Sequence, residues 1–245
     1  MASPNDDLSD GGKRRSSTVR RWRPRILAGL LAIIAVNFAF NVKNKHAPGC
    51  DIYRRVQTDR LLIAHGAGGL PDRMYPNNIA ALDDAYARGL RVFEMDFWEL
   101  PFGVIRAGHN PTDLLDPREA WLSEVLDWMR RHPDTRLMPD MKTDNVSGLQ
   151  RISALAPDLR DRITPFVYTA SEDQAVRALG FSRPVYALFH QEEPGWLEFA
   201  NGRDFAAVAV SAHQIDRIAA IDHPVIVYTY DVMVKAPGAR GVITN

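Results

Sequence analysis

The stretch VFEMDFWEL, Val92–Leu100, has the composition of a buried strand but carries two carboxylates on one face. Side chains alternate between the faces of a strand, so Glu94 and Asp96 point the same way. The opposite face is formed by Phe93, Met95 and Phe97. Both faces of a parallel strand are buried, and the large apolar set belongs against helices. We therefore expect the carboxylates to point into a barrel, where buried charge requires a balancing cation.

Seven more apolar runs predict a parallel sheet. They are RLLIAHG (60–66), RLMPDMK (136–142), FVYT (166–169), PVYALFH (184–190), AAVAVSA (206–212), PVIVYTY (224–230) and GVIT (241–244). Helical or turn segments separate most of them, and eight strands in βα alternation predict an α/β fold, a (β/α)8 TIM barrel. Only a short segment lies between Tyr230 and Gly241, so we expect truncated C-terminal helices: the seventh missing or vestigial, and no eighth.

A helix start is predicted before the apolar stripe that follows the second strand. Asp116-Pro117-Arg118-Glu119 has the pattern of an N-cap, a proline at the first helical position and a capping-box glutamate. The stripe itself consists of Leu122, Val125, Leu126 and Met129. We therefore expect this helix to begin near Pro117.

The N-terminal region has the pattern of a membrane anchor. Seven Lys and Arg residues between 13 and 25 precede the charge-free run Ile26–Val42. The positive-inside rule then predicts a basic cytoplasmic tail (1–25), a single transmembrane helix (26–42), a linker (43–58) and an extracytoplasmic barrel domain (59–245). A cleaved signal peptide is the alternative, although no small-residue cleavage site closes the run.

Composition restricts the possible partners. The chain has 245 residues, with 30 Lys and Arg against 30 Asp and Glu, so no basic field indicates nucleic acid. Cys50 is the single cysteine, which excludes an internal disulfide.

A third carboxylate and two histidines belong at the same end of the predicted barrel. Asp140 and Lys142 share one face of RLMPDMK, while His65 ends the first strand and His109 follows the second. Three inward carboxylates favour Mg²⁺ or Ca²⁺ over simple salt bridges, and Lys142 is a candidate for binding an anionic substrate. The histidines are candidates for an acid–base pair.

The order IAHGAGG, YPNN, FEMDFWE, AGHN, LMPDMK resembles the glycerophosphodiester phosphodiesterase family. Its patterns are an HRG-type strand end, a Pro-Glu-Asn-Thr turn, a Glu-x-Asp strand, a His-Asp and a Glu-x-Lys strand. VIVYTYD and GVITN also resemble its V-x-V-W-T-V-N and G-I-I-T-D segments. Phosphatidylinositol-specific phospholipases C have a similar barrel and a similar histidine pair.

The resemblance implies a role for each candidate residue. His65 and His109 would be the general acid and base, and Lys142 would contact the phosphate. The ligands of one Mg²⁺ or Ca²⁺ would be Glu94, Asp96 and Asp140. The implied substrates are glycerophosphodiesters, lysolipids or phospholipid headgroups, and a hydroxyl of the substrate's own glycerol would attack phosphorus.

Four positions depart from the family pattern. Gly66 stands where the pattern has Arg, Asn77 and Asp140 where it has Glu, and Asn110 where it has Asp. These departures leave the exact substrate open. They also leave open a phospholipase C- or D-like lyase that stops at a cyclic phosphate, an inactive phosphate-binding barrel, and a two-carboxylate glycosidase.

Overall fold

The computed structural model describes Ala35 and residues 61–71, 73, 75–188, 194–228 and 239–244. The chain divides into two units, Met1–Asn41 and Val42–Asn245, and the elements below belong to the second. The predicted tail and linker lie outside the described residues, so those boundaries stay predictions.

The expected transmembrane helix requires a correction. Within the described part of the chain, no helix has the length and apolar character that crossing a membrane requires. This finding overturns the expectation of a single-pass membrane protein with an extracytoplasmic catalytic domain. Residues 26–42 themselves lie outside the described residues, apart from Ala35.

The described residues form nine strands. They are β1 (Leu61–Ala64), β2 (Val92–Glu99), β3 (Ile105–Ala107), β4 (Arg136–Met141), β5 (Phe166–Val167), β6 (Val185–Ala187), β7 (Ala207–Ser211), β8 (Val225–Tyr228) and β9 (Ala239–Thr244). Strand β1 pairs in parallel with both β2 and β9, and β2 pairs in parallel with β4. Parallel pairing continues from β5 to β9, and the bridge Leu137–Ile163 links β4 to the segment before β5.

These pairings make a barrel of eight parallel strands, as the sequence predicts. Strand β3 is an additional strand that runs antiparallel to the end of β2. Most of the short segment between Tyr230 and Gly241, residues 231–238, lies outside the described part of the chain, so the truncated C-terminal helices stay a prediction.

Five α-helices are described on the outside of the sheet. They are α1 (Ile79–Ala87), α2 (Leu122–Arg131), α3 (Asn145–Leu155), α4 (Ala170–Ala178) and α5 (Trp196–Asn201). Short 3₁₀ helices cover His65–Ala67, Pro101–Gly103, Pro111–Leu115, Pro157–Arg162 and Ala212–Ala220. Side-chain caps fix three starts: Asn78 accepts from Ala81 N at 3.0 Å, Asp144 from Ser147 N at 2.7 Å, and Thr169 from Glu172 N at 3.2 Å.

Helix α2 begins at Leu122 and not near Pro117, so the predicted start is wrong. Tertiary contacts hold Ala120 and Trp121, just before this start, outside the helix. Ala120 N donates to Asn77 O at 3.2 Å, Ala120 O accepts from Ala107 N at 2.8 Å, and Trp121 bridges to the hairpin strand β3. The Glu124 carboxylate then accepts from Trp121 N at 2.7 Å, which fixes the later start.

Two apolar layers confirm which way the side chains of β2 point. Phe93, Met95 and Phe97 pack in the layer between sheet and helices, where the Trp128 ring lies edge-on to Phe93 at 5.3 Å. The second layer fills the barrel interior with Ile63, Met138, Phe166, Val185, Ala187, Ala207, Ala209, Ile226 and Ile243. Glu94 lies opposite Met138 in the β2–β4 register, so the acidic face of β2 points inward.

Candidate active site

Strand register brings the three predicted carboxylates together. Asp96 of β2 lies directly opposite Asp140 of β4, and Glu94 lies on the same face two residues closer to the start of β2. Each of the three offers a carboxylate oxygen, and these oxygens all lie within 4.8 Å of one another. Glu94 is 2% and Asp96 1% exposed. The structure therefore brings these three side chains together.

The Lys142 ammonium lies on this cluster. Its Nζ is 2.7 Å from Asp96 Oδ1 and 2.6 Å from Asp140 Oδ2. Burial lowers the pKa of Lys142, but the carboxylates of Asp96, Asp140 and Glu94 raise it more, and the net pKa lies far above its usual range. Lys142 is therefore a permanent cation that already balances one of the three negative charges.

The remaining charge shifts the pKa values of Glu94 and Asp96 in opposite directions. Burial, together with the charges of Asp96 and Asp140, raises the pKa of Glu94 well above its usual value. Burial also raises the pKa of Asp96, but Lys142, His109 and His65 outweigh it and the net shift is downward. Asp96 Oδ1 is in contact with the Lys142 ammonium at 2.7 Å.

This donor set fits a divalent hard cation. Mg²⁺ and Ca²⁺ bind carboxylate oxygens, and one such ion would bring three carboxylates and one ammonium to zero net charge. The clustered oxygens of Glu94, Asp96 and Asp140 are ligand atoms of this kind.

His65 lies at the carboxyl end of β1 and is 1% exposed. Its Nε2 is 2.7 Å from the Tyr228 hydroxyl and 3.8 Å from Glu94 Oε2. The rings of Tyr75 and Tyr228 pack edge-on against the imidazole, with centroids at 4.4 and 4.8 Å. His65 Nε2 therefore faces the carboxylate cluster, and two aromatic rings pack against the imidazole.

His109 reaches the same end of the barrel from the β3 side. Gly108 N donates to Asp96 O at 3.0 Å, which fixes the chain just before His109 against the end of β2. The imidazole stacks on Tyr75 at 6.0 Å between centroids. Both imidazoles lie close enough to lower the pKa of Asp96, so the two predicted histidines share one site with the carboxylates.

Asn77 is a site residue whose role the sequence did not predict. It is fully buried, and its amide is paired twice with Asp96: Nδ2 donates to Oδ2 at 2.9 Å, and Asp96 N donates to Asn77 Oδ1 at 3.0 Å. Its φ of +45° is a conformation that asparagine tolerates better than most residues. The sequence marked Asn77 only as a departure from a family pattern.

Gly66 contacts the cluster through its backbone. Its N–H donates to Glu94 Oε2 at 2.9 Å, and its carbonyl accepts from Asn77 N at 2.9 Å. Gly66 has a φ of +55°, and a Cβ there would lie 2.8 Å from Tyr75 Cα. The residue that follows the histidine therefore has no space for a side chain unless the main chain of Tyr75 moves.

Tyr168 was also missed. Its hydroxyl donates to Asp140 Oδ1 at 2.6 Å, and burial together with the Asp140 charge raises its pKa well above the usual value. Tyr168 comes directly after β5, and Tyr228 is the last residue of β8. Their positions at the carboxyl ends of barrel strands were the available signal, because active sites of such barrels lie at that end.

A cavity of about 710 Å³ lies at the opposite end of the barrel. Its walls include the strand starts and rim residues Leu61, Val92, Arg136, Arg160, Arg183, Val185, Ala207 and Ile226. None of the carboxylates or histidines of the candidate site lines it. The reactive groups, and not the volume of a cavity, locate a candidate active site, so we assign the site to the carboxyl end.

Comparisons with known proteins agree with the barrel. No family model and no curated protein matches the chain. Among solved structures, a candidate glycerophosphodiester phosphodiesterase from Galdieria sulphuraria is 14% identical with a TM-score of 0.61, over 76% of this chain and 95% of that one. A glycerophosphodiester phosphodiesterase from Parabacteroides distasonis is 14% identical with a TM-score of 0.58, over 77% and 94%.

A third structure is an Oleispira antarctica phosphodiesterase in complex with the product sn-glycerol-3-phosphate. It is 14% identical with a TM-score of 0.55, over 75% of this chain and 92% of that one. At such identities the likeness shows the fold. The resemblance found in the sequence motifs is thus confirmed as a shared barrel, with a strongly diverged sequence.

Proposed function

We propose that the protein is a metal-dependent phosphodiesterase that cleaves glycerophosphodiesters or phospholipid headgroups, with His65 and His109 as the acid–base pair. The observation that carries this proposal is the buried cluster of Glu94, Asp96 and Asp140 with two imidazoles beside it. A purely structural ion-pair site would need the carboxylates and Lys142 but not a second histidine brought in from the β3 side.

The three carboxylates would hold the metal ion. A divalent cation bound there supplies neutralisation of phosphoryl charge and makes the attacking oxygen more acidic. Asn77 holds Asp96, and Tyr168 holds Asp140, so both side chains keep their orientation without a ligand. Lys142 contributes positive charge to the same cluster and attracts the anionic diester.

The two histidines would move the protons. As the attacking hydroxyl forms a bond to phosphorus, one imidazole takes its proton. As the bond from phosphorus to the leaving oxygen breaks, the other imidazole gives that oxygen a proton. A glycerol hydroxyl as attacker gives a cyclic phosphate, which water opens in a second step with the roles exchanged. An enzyme that omits this second step is the lyase alternative.

The substrate class rests on the structural neighbours. The Oleispira antarctica phosphodiesterase binds sn-glycerol-3-phosphate as its product, which favours glycerophosphodiesters here. Lysolipids present the same phosphodiester with one acyl chain and belong in the same test. The leaving group stays open, because Gly66 lacks the arginine that the family pattern has after the first histidine.

A phosphate-binding barrel without turnover is the second candidate. Lys142 lies between Asp96 and Asp140, where it competes with a metal ion for the same oxygens. If the ammonium keeps this position, the carboxylates balance a lysine and no metal binds.

Turnover of a substrate panel by the full chain tests these possibilities. The panel contains glycerophosphodiesters with different headgroups and lysolipids, assayed with EDTA, Mg²⁺ or Ca²⁺, with products identified by ³¹P NMR. Activity that EDTA abolishes supports the proposal, and accumulation of cyclic phosphate indicates the lyase. Activity that EDTA leaves unchanged contradicts the role of the metal.

Histidine variants test the acid–base pair. General acid–base steps contribute typically about 10²–10⁴-fold, so His65→Ala and His109→Ala should each lose that much kcat while retaining metal binding. His223→Ala is the matched control, because His223 lies just before β8 at the opposite end of the barrel. Turnover of His109→Ala at the level of the control would eliminate the pair.

A further inference from the structure

We propose that the Tyr228 hydroxyl is a substrate-contacting group that hydrogen bonds to the phosphate oxygen facing His65. This inference rests on the proposed phosphodiesterase function and assigns a further residue to the same site. It gives a role to the carboxyl end of β8, a strand that contributes none of the residues predicted from the sequence motifs.

The Tyr228 hydroxyl and His65 Nε2 lie next to each other. Tyr228 is the last residue of β8, and its oxygen lies 2.7 Å from His65 Nε2. The two rings meet edge-on, at 71° and 4.8 Å between centroids, so the contact is between atoms at their rims. A substrate oxygen that exchanges a proton with Nε2 must approach this rim, where it comes within hydrogen-bond reach of the hydroxyl.

The site needs a donor on this side. Position 66 is adjacent to His65 but presents only a backbone N–H, and that group already donates to Glu94 Oε2. A side chain at Gly66 would meet Tyr75 Cα at 2.8 Å. The phosphate oxygen on the His65 side therefore cannot receive a hydrogen bond from a side chain at position 66.

Lys142 does not fill this need. Its ammonium is shared between Asp96 and Asp140 at 2.7 and 2.6 Å, on the β4 side of the cluster. A phenol O–H is both a donor and an acceptor. The Tyr228 hydroxyl can therefore bond to His65 in the resting site and turn its proton towards a phosphate oxygen when the diester arrives.

The residue that makes this contact differs from the family pattern that the sequence resembles. VIVYTYD has Tyr228 at the position of tryptophan in V-x-V-W-T-V-N. The hydroxyl is thus a feature of this chain's own sequence and not of the resemblance.

The test is Tyr228→Phe in the full chain, which keeps the ring against His65 and removes only the hydroxyl. A hydrogen bond to a charged oxygen predicts a loss of about ten- to hundredfold in kcat/KM. In a His65→Ala background the same change should cost much less, because the oxygen that both groups contact is no longer held there. Tyr86→Phe is the control, because its hydroxyl bonds to Asp134 on the outer surface at 3.2 Å.

Affinity for sn-glycerol-3-phosphate, measured by isothermal titration, is the second readout. It should weaken with Tyr228→Phe and stay constant with Tyr86→Phe. Tyr228→Trp retains a ring donor and provides a second variant in case the phenylalanine lowers Tm. We expect it to keep more affinity for the phosphate than Tyr228→Phe.

The outcomes separate this inference from the proposed function. If the native chain turns over diesters and Tyr228→Phe matches Tyr86→Phe in both readouts, the inference is overturned and the function stands. If the native chain shows no turnover, the function fails, and the titration alone decides whether Tyr228 contacts phosphate. Equal, additive losses with and without His65 would also overturn the shared-oxygen contact.

Discussion

Replacing Asn77 by glycine tests whether a neutral amide organises the carboxylate cluster. Asn77 is fully buried and makes two hydrogen bonds to Asp96, one to the carboxylate and one from the backbone N–H. Glycine keeps the positive φ of +45° without strain, so the change removes the amide and leaves the backbone free to keep its conformation.

The expected cost follows from the two bonds. A hydrogen bond to a charged group contributes about 1.5–3 kcal/mol and a neutral one about 0.5–1.5 kcal/mol. Their sum, about 2–4.5 kcal/mol, corresponds to a fall in Tm of roughly 4–18 °C for a domain of this size. Calorimetry or circular dichroism in EDTA measures this loss in the absence of metal.

Asn78→Ala is a control in the neighbouring residue of the same type. Asn78 caps α1 by accepting from Ala81 N, and loss of such a cap typically costs about 1 kcal/mol. Its side chain binds helix α1 and not Asp96, so its removal should leave metal binding unchanged.

Metal affinity is the readout that separates the two asparagines. Loss of a residue that orients a ligand typically weakens metal binding about 10–100-fold. We therefore expect titration of Mg²⁺ or Ca²⁺ to show this loss for Asn77→Gly and not for Asn78→Ala. Equal metal affinity in both variants, or an equal fall in Tm, would refute the role of Asn77 as the group that holds Asp96.

Three other predictions concern charge. Arg73 and Glu119 form an ion pair that is almost wholly buried, so Arg73→Met should lower the free energy of unfolding in urea by about 3–5 kcal/mol. Adding Glu119→Leu should recover part of this loss, and a larger loss in the double variant would contradict the prediction. Burial raises the pKa of Asp116, but hydrogen bonds from Arg118 and the charge of Arg73 outweigh burial and lower this pKa to about 2. The stability it contributes is complete above its unfolded pKa of about 3.9 and is lost as pH falls through about 2, so the stability difference between the native chain and Asp116→Asn should shrink over that range. Glu94→Gln should raise the free energy of unfolding in EDTA and should weaken metal binding. A lower free energy of unfolding in EDTA would show that the charge of Glu94 is already compensated.

The sequence predicted the barrel and the acidic cluster because both depend on short-range periodicity. Alternation in VFEMDFWEL assigns Glu94 and Asp96 to one face whatever the neighbouring strand is. Asp140 follows the same rule on β4, and parallel register then brings it opposite Asp96. The carboxyl ends of parallel strands meet at one end of the barrel, which is why His65 also belongs to the prediction.

The partners of these residues could not be predicted, because they depend on register and closure. Tyr228 meets His65 across 163 residues of sequence, and Tyr168 meets Asp140 across 28. No local pattern encodes such contacts. The prediction of where α2 begins was wrong for the same reason, because the hydrogen bonds that hold Ala120 outside the helix override the capping-box pattern at Asp116. The membrane expectation rested on the basic residues that precede a charge-free run and on no tertiary contact.

The close approach between Gly66 and Tyr75 makes the order of mutations matter. Introducing an arginine at position 66 would place its Cβ 2.8 Å from Tyr75 Cα, so the substitution is harmful unless the Tyr75 segment moves first. Tyr75 itself has a φ of +48°, which makes that segment costly to rearrange one residue at a time. Whether a side chain is tolerated at position 66 therefore depends on the residues around Tyr75. A laboratory lineage under selection for phosphate affinity should improve other positions, Tyr228 among them, before it changes residue 66.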